Sequence, residues 1–478
     1  MDITTSGVFK ERLIGYSSRL KNKPAFVFFN GKQQSQITFG ELAHRVFGCP
    51  FESPTHTGHV VLIEGHQRPS ETMEYLYLLF AGLTPAFISP LTARQNSDQW
   101  KSDQDELKAR FTTHHLNNKS TKVADFGFVQ FTSGTTGLRK GVYIPMSRLA
   151  SHLSLLEQEL MISDEDVVVS WLPTYHDMGL ITSLLLPLFC GISTILIDPV
   201  LWSYRPLLFI EAVKRYRGTL AWQPNFAFDH LSRSLTGTNT NELADTPLSS
   251  LRLLFNCSEP CRYSTFERFI RNFSDFGLAP NALQTAYAMA ENIFAVSQSK
   301  FNSPSDWRSN HGVLTSGTPL PGVQVIRTHT ASDEQRNLLN AHESPLLVGG
   351  QYLADNYLPI PSDRFRKVDD TQFFFTNDVG TFEDGLLFVH GRLDDTIIIK
   401  GKKFLAWEIE DSLNTIPGVK PGRSLAFTDA DQERLTIAVE GDINIIDTRF
   451  IIRQIASKFS IAIGLVIPLK EAEHVNLF

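Results

Sequence analysis

From about residue 120 to residue 300 the chain switches repeatedly between short β-branched or aromatic runs and longer stretches with helical spacing of apolar residues. That alternation predicts an α/β fold, with buried strands between packed helices. DFGFVQFT (125–132), DVVVSWLP (166–173), STILID (193–198) and LRLLFN (251–256) read as strands, the last three as buried ones. SRLASHLSLLEQEL (147–160) sets Leu149, Leu153, Leu156 and Leu160 on one helical face, with Ser147 as its expected cap. PLLFIEAVKRYR (206–217) and STFERFIRNF (264–273) read as amphipathic helices lying on those strands.

The uncharged run GLITSLLLPLFCGISTILI (179–197) is nearly long enough to cross a bilayer. Pro187, Gly191 and the β-branched TILI ending predict instead a buried helix, a turn and a core strand, and no transmembrane segment is expected. The polar stretch 95–121 reads as a surface connection or exposed helix. At 478 residues the chain is too long for one ordinary core. The turn around 391–395 is the expected boundary between a large domain over 1–391 and a small α+β domain over 395–478, with a hinge near 392–394.

A hydrophobic share of 42% with 20% charged residues is that of a globular protein. The net charge of -7, from 44 basic and 51 acidic side chains, offers no electrostatic reason to expect a nucleic-acid partner. Four cysteines and an amino terminus without the apolar core of a secretion signal lead to the expectation of a cytoplasmic protein with reduced thiols. Cys257 and Cys261 have a spacing open to metal binding, but no second pair lies at zinc-site distance, and ordinary buried thiols are the expectation.

FTSGTTGLRKG (131–141) collects small hydroxyl residues and glycines between an apolar strand and two cations. Glycine lets backbone amides come close to anionic oxygens, hydroxyls add neutral donors, and Lys140 adds charge, which together make a phosphate-cradling composition. The spacing is not that of a Walker A loop, and on composition alone a polar turn between two strands fits equally well.

Further along come SWLPTYHDMGL (170–180), PNFAFDHL (224–231), NCSEPCR (256–262), YAMAEN (287–292), FTNDVG (375–380) and GRLDDTIIIKG (391–401). With FTSGTTGLRKG, these seven motifs in order resemble the adenylate-forming (AMP-binding) superfamily of acyl-CoA synthetases, peptide-synthetase adenylation domains and luciferases. LPTYHDMG, RPLLFIEAVKRYRGT, PNFAFDHL and SEPCR are most similar to fatty acyl-AMP ligases. The resemblance runs from ITFGEL at 37 to about 467 and implies a large multi-lobed α/β adenylation domain with a small mobile carboxy-terminal lid.

The resemblance also implies roles. Thr132, Ser133, Gly134, Thr135, Thr136 and Gly137 with Lys140 would hold the β- and γ-phosphates of ATP. Glu291 would bind Mg²⁺. Tyr287 would stack near the adenine, with Ser258, Glu259 and Pro260 lining the base. Asp378 would accept the ribose hydroxyls, and Arg392 would reach the ribose or the phosphates. His176, Trp222 and Met289 would belong to the acyl pocket, and Asp394 to the hinge. The implied chemistry is activation of a fatty or related carboxylic acid to acyl-AMP, followed by transfer to an acyl carrier protein. An acyl-CoA synthetase and a non-catalytic AMP-binding adaptor stay open as alternatives.

Several departures bear on those alternatives. The region matching the family's terminal lysine motif reads GLVIPLKEAEHVNLF, which leaves three readings open: Lys470 or Lys458 supplies the missing cation, a partner protein supplies it, or the chain does not adenylate efficiently by itself. The connection through AGLTPAFISPLTARQ is short, and so is the stretch before SGTPLPG, where acyl-AMP ligases usually carry a lid-restraining insertion. Cys257 and Asn377 stand where the family favours glycine.

Overall fold

The computed structural model describes residues 5–32, 34–48, 60–90, 126–132, 140–235, 248–328, 344–358, 361–368, 370–399, 402–428 and 434–470. Its largest sheet runs, in spatial order, through Thr318–Pro319, Ala295–Gln298, Leu283–Ala288, Leu253–Asn256, Leu220–Gln223, Val167–Ser170, Ser193–Ile197, Pro24–Phe29 and Gln34–Thr38. Neighbours from Leu283–Ala288 across to Pro24–Phe29 are parallel, and antiparallel strands close both edges. Every residue of Ser193–Ile197 and Leu220–Gln223 is buried, as expected of parallel strands covered on both faces. Ligands of such sheets sit beyond the carboxyl ends of the strands. There lie YHDMG after Ser170, PNF after Gln223, SEP after Asn256 and MAEN after Ala288.

The helix expected from Ser147 spans Met146–Glu159 with Pro145 at its N-cap, so Ser147 sits inside the first turn and is not the cap. The reason lies in the preceding hairpin: the Met146 amide donates to the Phe126 carbonyl at 2.8 Å, so helix starts directly from the strand end. The apolar run at 179–197 forms the π-helical turn Leu180–Leu185, the helix Leu186–Cys190, a left-handed Gly191 (φ 73°) and the strand Ser193–Ile197. Among the described residues no helix is long and apolar enough to cross a membrane. Cys190, Cys257 and Cys261 are buried free thiols, and the Cys261 Sγ donates to the Asn256 carbonyl at 3.2 Å. The stretch 95–121 and Cys49 lie outside the described residues.

Two smaller sheets complete the front of the large core. Gly127–Phe131 and Gly141–Pro145 form an antiparallel hairpin, joined at its second strand by Tyr357–Leu358. Thr371–Glu383 pairs with Ser344–Gly350, Phe365–Val368 and Leu386–Arg392. One hydrophobic cluster runs from Phe9 to Leu387, and a separate one from Ile397 to Val466. The second belongs to a lobe in which Ala406–Leu413 and Thr448–Phe459 are helices and Val419–Thr428, Leu435–Gly441 and Ile463–Lys470 form a sheet. The 3₁₀ turn Leu393–Asp395 connects the two.

Arg262, just after the SEP turn, ties this lobe to the larger one. Its guanidinium lies 4.4 Å from the centre of the Trp407 ring, pairs with Asp411 at 2.5 Å and donates to the Trp407 carbonyl at 3.4 Å. Burial holds its pKa down at about 10, still far above neutrality, so the side chain is a desolvated cation, favoured by the charges of Glu259 and Asp229 in the larger lobe and of Glu410 in the second. Arg233 adds a second tie, donating to the Val419 carbonyl at 2.6 Å. Next to Asp411, Glu410 accepts from the Ala426 amide at 3.0 Å, and burial pushes its carboxyl up to about 7.

Two predictions follow from this seam. Replacing Arg262 by Ala removes a buried, paired cation at a cost of about 3 kcal/mol. The expected outcome is faster limited proteolysis at the Leu393–Asp395 connection than in the parent chain, with the large core still folded. For Glu410, the folded chain holds its proton more tightly than the unfolded chain does. The ionisation penalty therefore begins near pH 4.5 and is complete above about pH 7. Glu410→Gln should gain stability relative to the parent across that window and level off above it, as read from urea midpoints.

Candidate functional site

The hairpin register brings Phe131 opposite Gly141, and one residue further the Thr132 amide donates to the Lys140 carbonyl at 3.0 Å. The chain therefore leaves and re-enters the hairpin at a single point. Ser133, Gly134, Thr135, Thr136 and Gly137 lie outside the described residues, flanked by these two. The Lys140 ammonium stands 5.1 Å from the centre of the Tyr357 ring, on the strand that pairs with Val142.

Tyr357 links the hairpin to Glu291. Its hydroxyl donates to Glu291 Oε1, and the Glu291 carbonyl accepts from the Ala354 amide at 2.7 Å. Glu291 occupies the 3₁₀ turn Ala290–Asn292 at the carboxyl end of Leu283–Ala288, and it is only 8% exposed. Burial raises its carboxyl pKa, against the Tyr357 hydrogen bond and the nearby Arg364 charge, which favour the anion.

From the same strand end Tyr287 donates its hydroxyl to Asp378 Oδ2. Asp378 is paired in register with Arg392, and its Oδ1 lies 3.4 Å from the Arg392 Nε. Burial again raises the carboxyl, with Arg392 the strongest opposing influence. Although burial works against its charge, Asp378 and Asp395 hold Arg392 above its usual value. Glu291 also acts on Arg392 and on Tyr287, so the carboxylates, hydroxyls and guanidinium share one electrostatic environment.

The SEP turn borders this group. Ser258 is left-handed (φ 73°), and its Oγ lies 3.9 Å from the Met178 Sδ, which seats the turn against YHDMG. Glu259 turns back to accept from the Phe226 amide at 3.0 Å, and Pro260 follows it at the surface of the strand end. His176 is half-buried with its ring 4.8 Å from that of Tyr175. Trp222 is buried and stacked on Phe255 at 5.5 Å, and Met289 is buried with its amide donating to the Phe294 carbonyl at 2.9 Å. Asp394 accepts from the Asn377 side chain at 2.7 Å. Asn377 takes φ 63°, a left-handed position that asparagine tolerates better than most residues with a side chain. Lys458 donates to Ser412 Oγ at 2.5 Å, and Lys470 lines a cavity between the lobes.

Three residues of the site were not singled out from sequence. Tyr357 and Arg364 sit in DNYLPIPSDRFRKV, where neither motif nor periodicity marks them. Arg364 donates to the Phe375 carbonyl at 2.8 Å, stacks over Phe374 at 4.8 Å, and its charge acts on Glu291, Asp378 and Tyr357. Asp177 was in view within YHDMG; burial first, and Glu291 as well, push its carboxyl up to about 6. Glu291 and Asp177 are hard oxygen donors of the type Mg²⁺ prefers when phosphates and water complete its shell. Among the described residues no group of three or more His, Cys, Asp or Glu side chains could by itself hold a metal ion.

Comparison with known proteins agrees with this architecture. A family profile described as AMP-binding enzyme matches residues 59–358. The medium-chain-fatty-acid acyl-carrier-protein ligase JamA of Moorena producens is 28% identical over 343 residues, covering 66% of this chain and 57% of JamA. The corresponding ligase TtuA of Teredinibacter turnerae is 27% identical over 357 residues, 67% of this chain and 55% of TtuA. The chain thus spans just over half the length of these curated relatives. A solved fatty acyl-adenylate ligase, from studies of the E. coli and L. pneumophila enzymes, superimposes with TM-score 0.80 at 20% identity, over 97% of this chain and 94% of the other, a likeness of fold. With the profile matched across more than half its length and the adenylate-forming α/β fold in place, this chain belongs to the AMP-binding enzyme family.

Proposed function

We propose that this chain joins a fatty or related carboxylic acid to the adenylyl group of ATP, releasing pyrophosphate, and then passes the acyl group from acyl-AMP to a thiol on an acyl carrier protein or coenzyme A. The observation that carries this reading is the convergence of Tyr287, Asp378 and Arg392 with Glu291, Tyr357 and Lys140 at the carboxyl ends of the parallel strands. The names of the relatives, which are acyl-carrier-protein ligases, support a carrier as the acceptor.

In this reading Asp378 offers its two carboxylate oxygens to the ribose hydroxyls. The Tyr287 hydroxyl and the Arg392 guanidinium hold it in place until the sugar arrives. The loop 132–137 with Lys140 receives the β- and γ-phosphates. Glu291, beside Asp177, would hold Mg²⁺, which when bound offsets phosphate charge. The substrate carboxylate is its own nucleophile: one of its oxygens forms the new bond to the α-phosphorus as the bond to the bridging oxygen of pyrophosphate breaks. The protein supplies position and charge compensation, not a covalent residue. Arg392, Arg364 and Lys140 would offset that charge. Thiol attack on the acyl carbonyl then expels AMP. We further propose that the lobe beyond residue 395 is a lid pivoting at 392–394, with Asp394 in the hinge. His176, Trp222 and Met289 belong, in the same reading, to the acyl pocket.

Pyrophosphate release measured over a panel of fatty acids, with and without phosphopantetheinylated carrier protein, tests the assignment. Acid-dependent release that falls about a hundredfold or more in Glu291→Ala is expected. A chain that binds AMP yet releases no pyrophosphate with any acid would instead be a non-catalytic adenylate binder. For Asp378→Asn, AMP affinity should fall about tenfold or more by calorimetry, because a charged acceptor of two hydroxyl donors is lost. Unchanged affinity would remove the ribose assignment.

A further inference from the structure

Beside the Asp378–Glu291 group, a row of buried side chains at the same strand ends holds polar atoms that the fold leaves unmatched. The register sets Gln223 beside Asn256 and Asn256 beside Thr285. The pairing of Val168 with Leu220 carries the row on to Trp171, three residues past Val168 as Gln223 is three past Leu220. Trp202, in the helix Pro199–Tyr204, stacks on Trp171 with ring centres 3.6 Å apart and planes 2° from parallel, and Phe226 stands edge-on to both. Successive residues of a strand face opposite sides, so the row lies on the other face of the sheet from the stacked Trp222 and Phe255.

Trp171, Trp202, Gln223 and Asn256 are at most 6% exposed. Among the described residues, the indole N–H groups of Trp171 and Trp202, both side-chain polar atoms of Gln223 and the Asn256 Oδ1 have no hydrogen-bond partner. Hydroxyls nearby are satisfied: Thr285 donates to the Thr315 carbonyl at 2.6 Å, and Ser183 donates to Ser170 Oγ at 2.7 Å. The orientation of Asn256 is fixed. Asn225 Oδ1 accepts from the Arg262 amide at 3.4 Å, so the Asn256 atom that meets it at 2.8 Å is the amide nitrogen, and Oδ1 is the atom left over. Unmatched polar groups out of water are unfavourable and rare in native folds. Here four residues on adjoining elements carry them together.

We infer that Trp171, Trp202, Gln223 and Asn256 bind a neutral hydrogen-bonding group, a hydroxyl or a carboxamide, carried on the chain of the carboxylic acid; this rests on the acid-activation reading above and narrows its substrate class. The indoles only donate, the Asn256 oxygen only accepts and Gln223 does both, so the group that matches them must itself donate and accept. No member of the set is charged, which disfavours an ammonium or a second carboxylate. Position agrees with chemistry. Neighbouring strands lie about 4.8 Å apart, so Gln223, two strands from Tyr287, is roughly 10 Å away across the strand ends, and Trp171 a strand further. An acid activated beside Tyr287 and Asp378 would lay its chain over those ends and meet Gln223 with a substituent remote from the carboxylate. A site built to hydrogen-bond such a group rejects an acid that lacks it, because its own polar atoms stay unpaired, whereas an apolar pocket discriminates weakly.

The test is pyrophosphate release by the full chain with matched acids: unsubstituted alkanoic acids, the same acids hydroxylated at successive positions, and acids of the same lengths ending in a carboxamide. At the best position kcat/KM should exceed that of the unsubstituted acid by at least about tenfold. Gln223→Leu should lower that ratio at least about tenfold, chiefly through KM, and should not lower the melting temperature of the ligand-free chain, since it removes two unpaired polar atoms. Trp202→Phe deletes one N–H and keeps an aromatic ring; it should lower the ratio as well, and it decides the matter if Gln223→Leu misfolds. Preference for the hydroxyl or for the amide chooses between the two groups, and either accords with the inference. Preference for the unsubstituted acid at every position, or a ratio unchanged in the variants, overturns it and makes Gln223 a structural residue. Quenching of tryptophan fluorescence by the same acids reads binding without turnover. Tight binding of a substituted acid with no pyrophosphate release would defeat the activation reading and keep this site, whereas release with unsubstituted acids alone would do the reverse.

Discussion

Desolvation of two carboxylates organises this protein. Asp378 and Glu291 are both buried, and burial raises the pKa of each. An isolated carboxylate taken out of water is costly unless neighbours replace the lost hydration. Here tyrosine hydroxyls from Tyr287 and Tyr357 and the guanidinium of Arg392 do so. Because these partners come from three separate sheets, satisfying the two anions also locks those sheets together. The same low-dielectric setting that makes the anions expensive strengthens any hydrogen bond they later give a ligand.

The second organising feature is a cation in a comparable position. Arg262 is buried at the seam and reaches Trp407 and Asp411 in the other lobe. Taking the lobes apart would expose an aromatic face and separate a charge pair, so the arrangement is held by a compact contact and not by a shared hydrophobic core. The two apolar clusters stay distinct, one ending at Leu387 and the other starting at Ile397. A seam of polar and charged contacts can be remade elsewhere at moderate cost, whereas a continuous core cannot. That difference is what a pivot at 392–394 would require.

Much of the frame was legible in the sequence because it depends on local pattern. Buried strands such as Ser193–Ile197 and Leu253–Asn256 announce themselves as short apolar runs, and the amphipathic helix Tyr263–Phe273 by its spacing. The run at 179–197 was correctly read as core: the helix continues through Pro187 to Cys190, and the left-handed Gly191 turns the chain into the strand. The Ser147 cap was misread, since the hairpin carbonyl of Phe126, distant in pattern though near in space, captures the first amide. Caps depend on one hydrogen bond, and a tertiary donor or acceptor easily takes it over.

By itself the sequence determined the α/β alternation, the family motifs and the identities of Asp378, Glu291, Tyr287 and Arg392 as candidate chemistry, because each lies within a short run of marked neighbours. Only the tertiary structure decided that Tyr357 and Arg364 belong beside them, that the Glu291 charge acts on Asp177, and that Arg233, Lys420 and Lys470 line one cavity. Those groups are brought together by sheet pairing and by lobe contact between residues far apart in the chain. Periodicity reports which face of an element is buried, but the partner that meets that face is set by long-range packing.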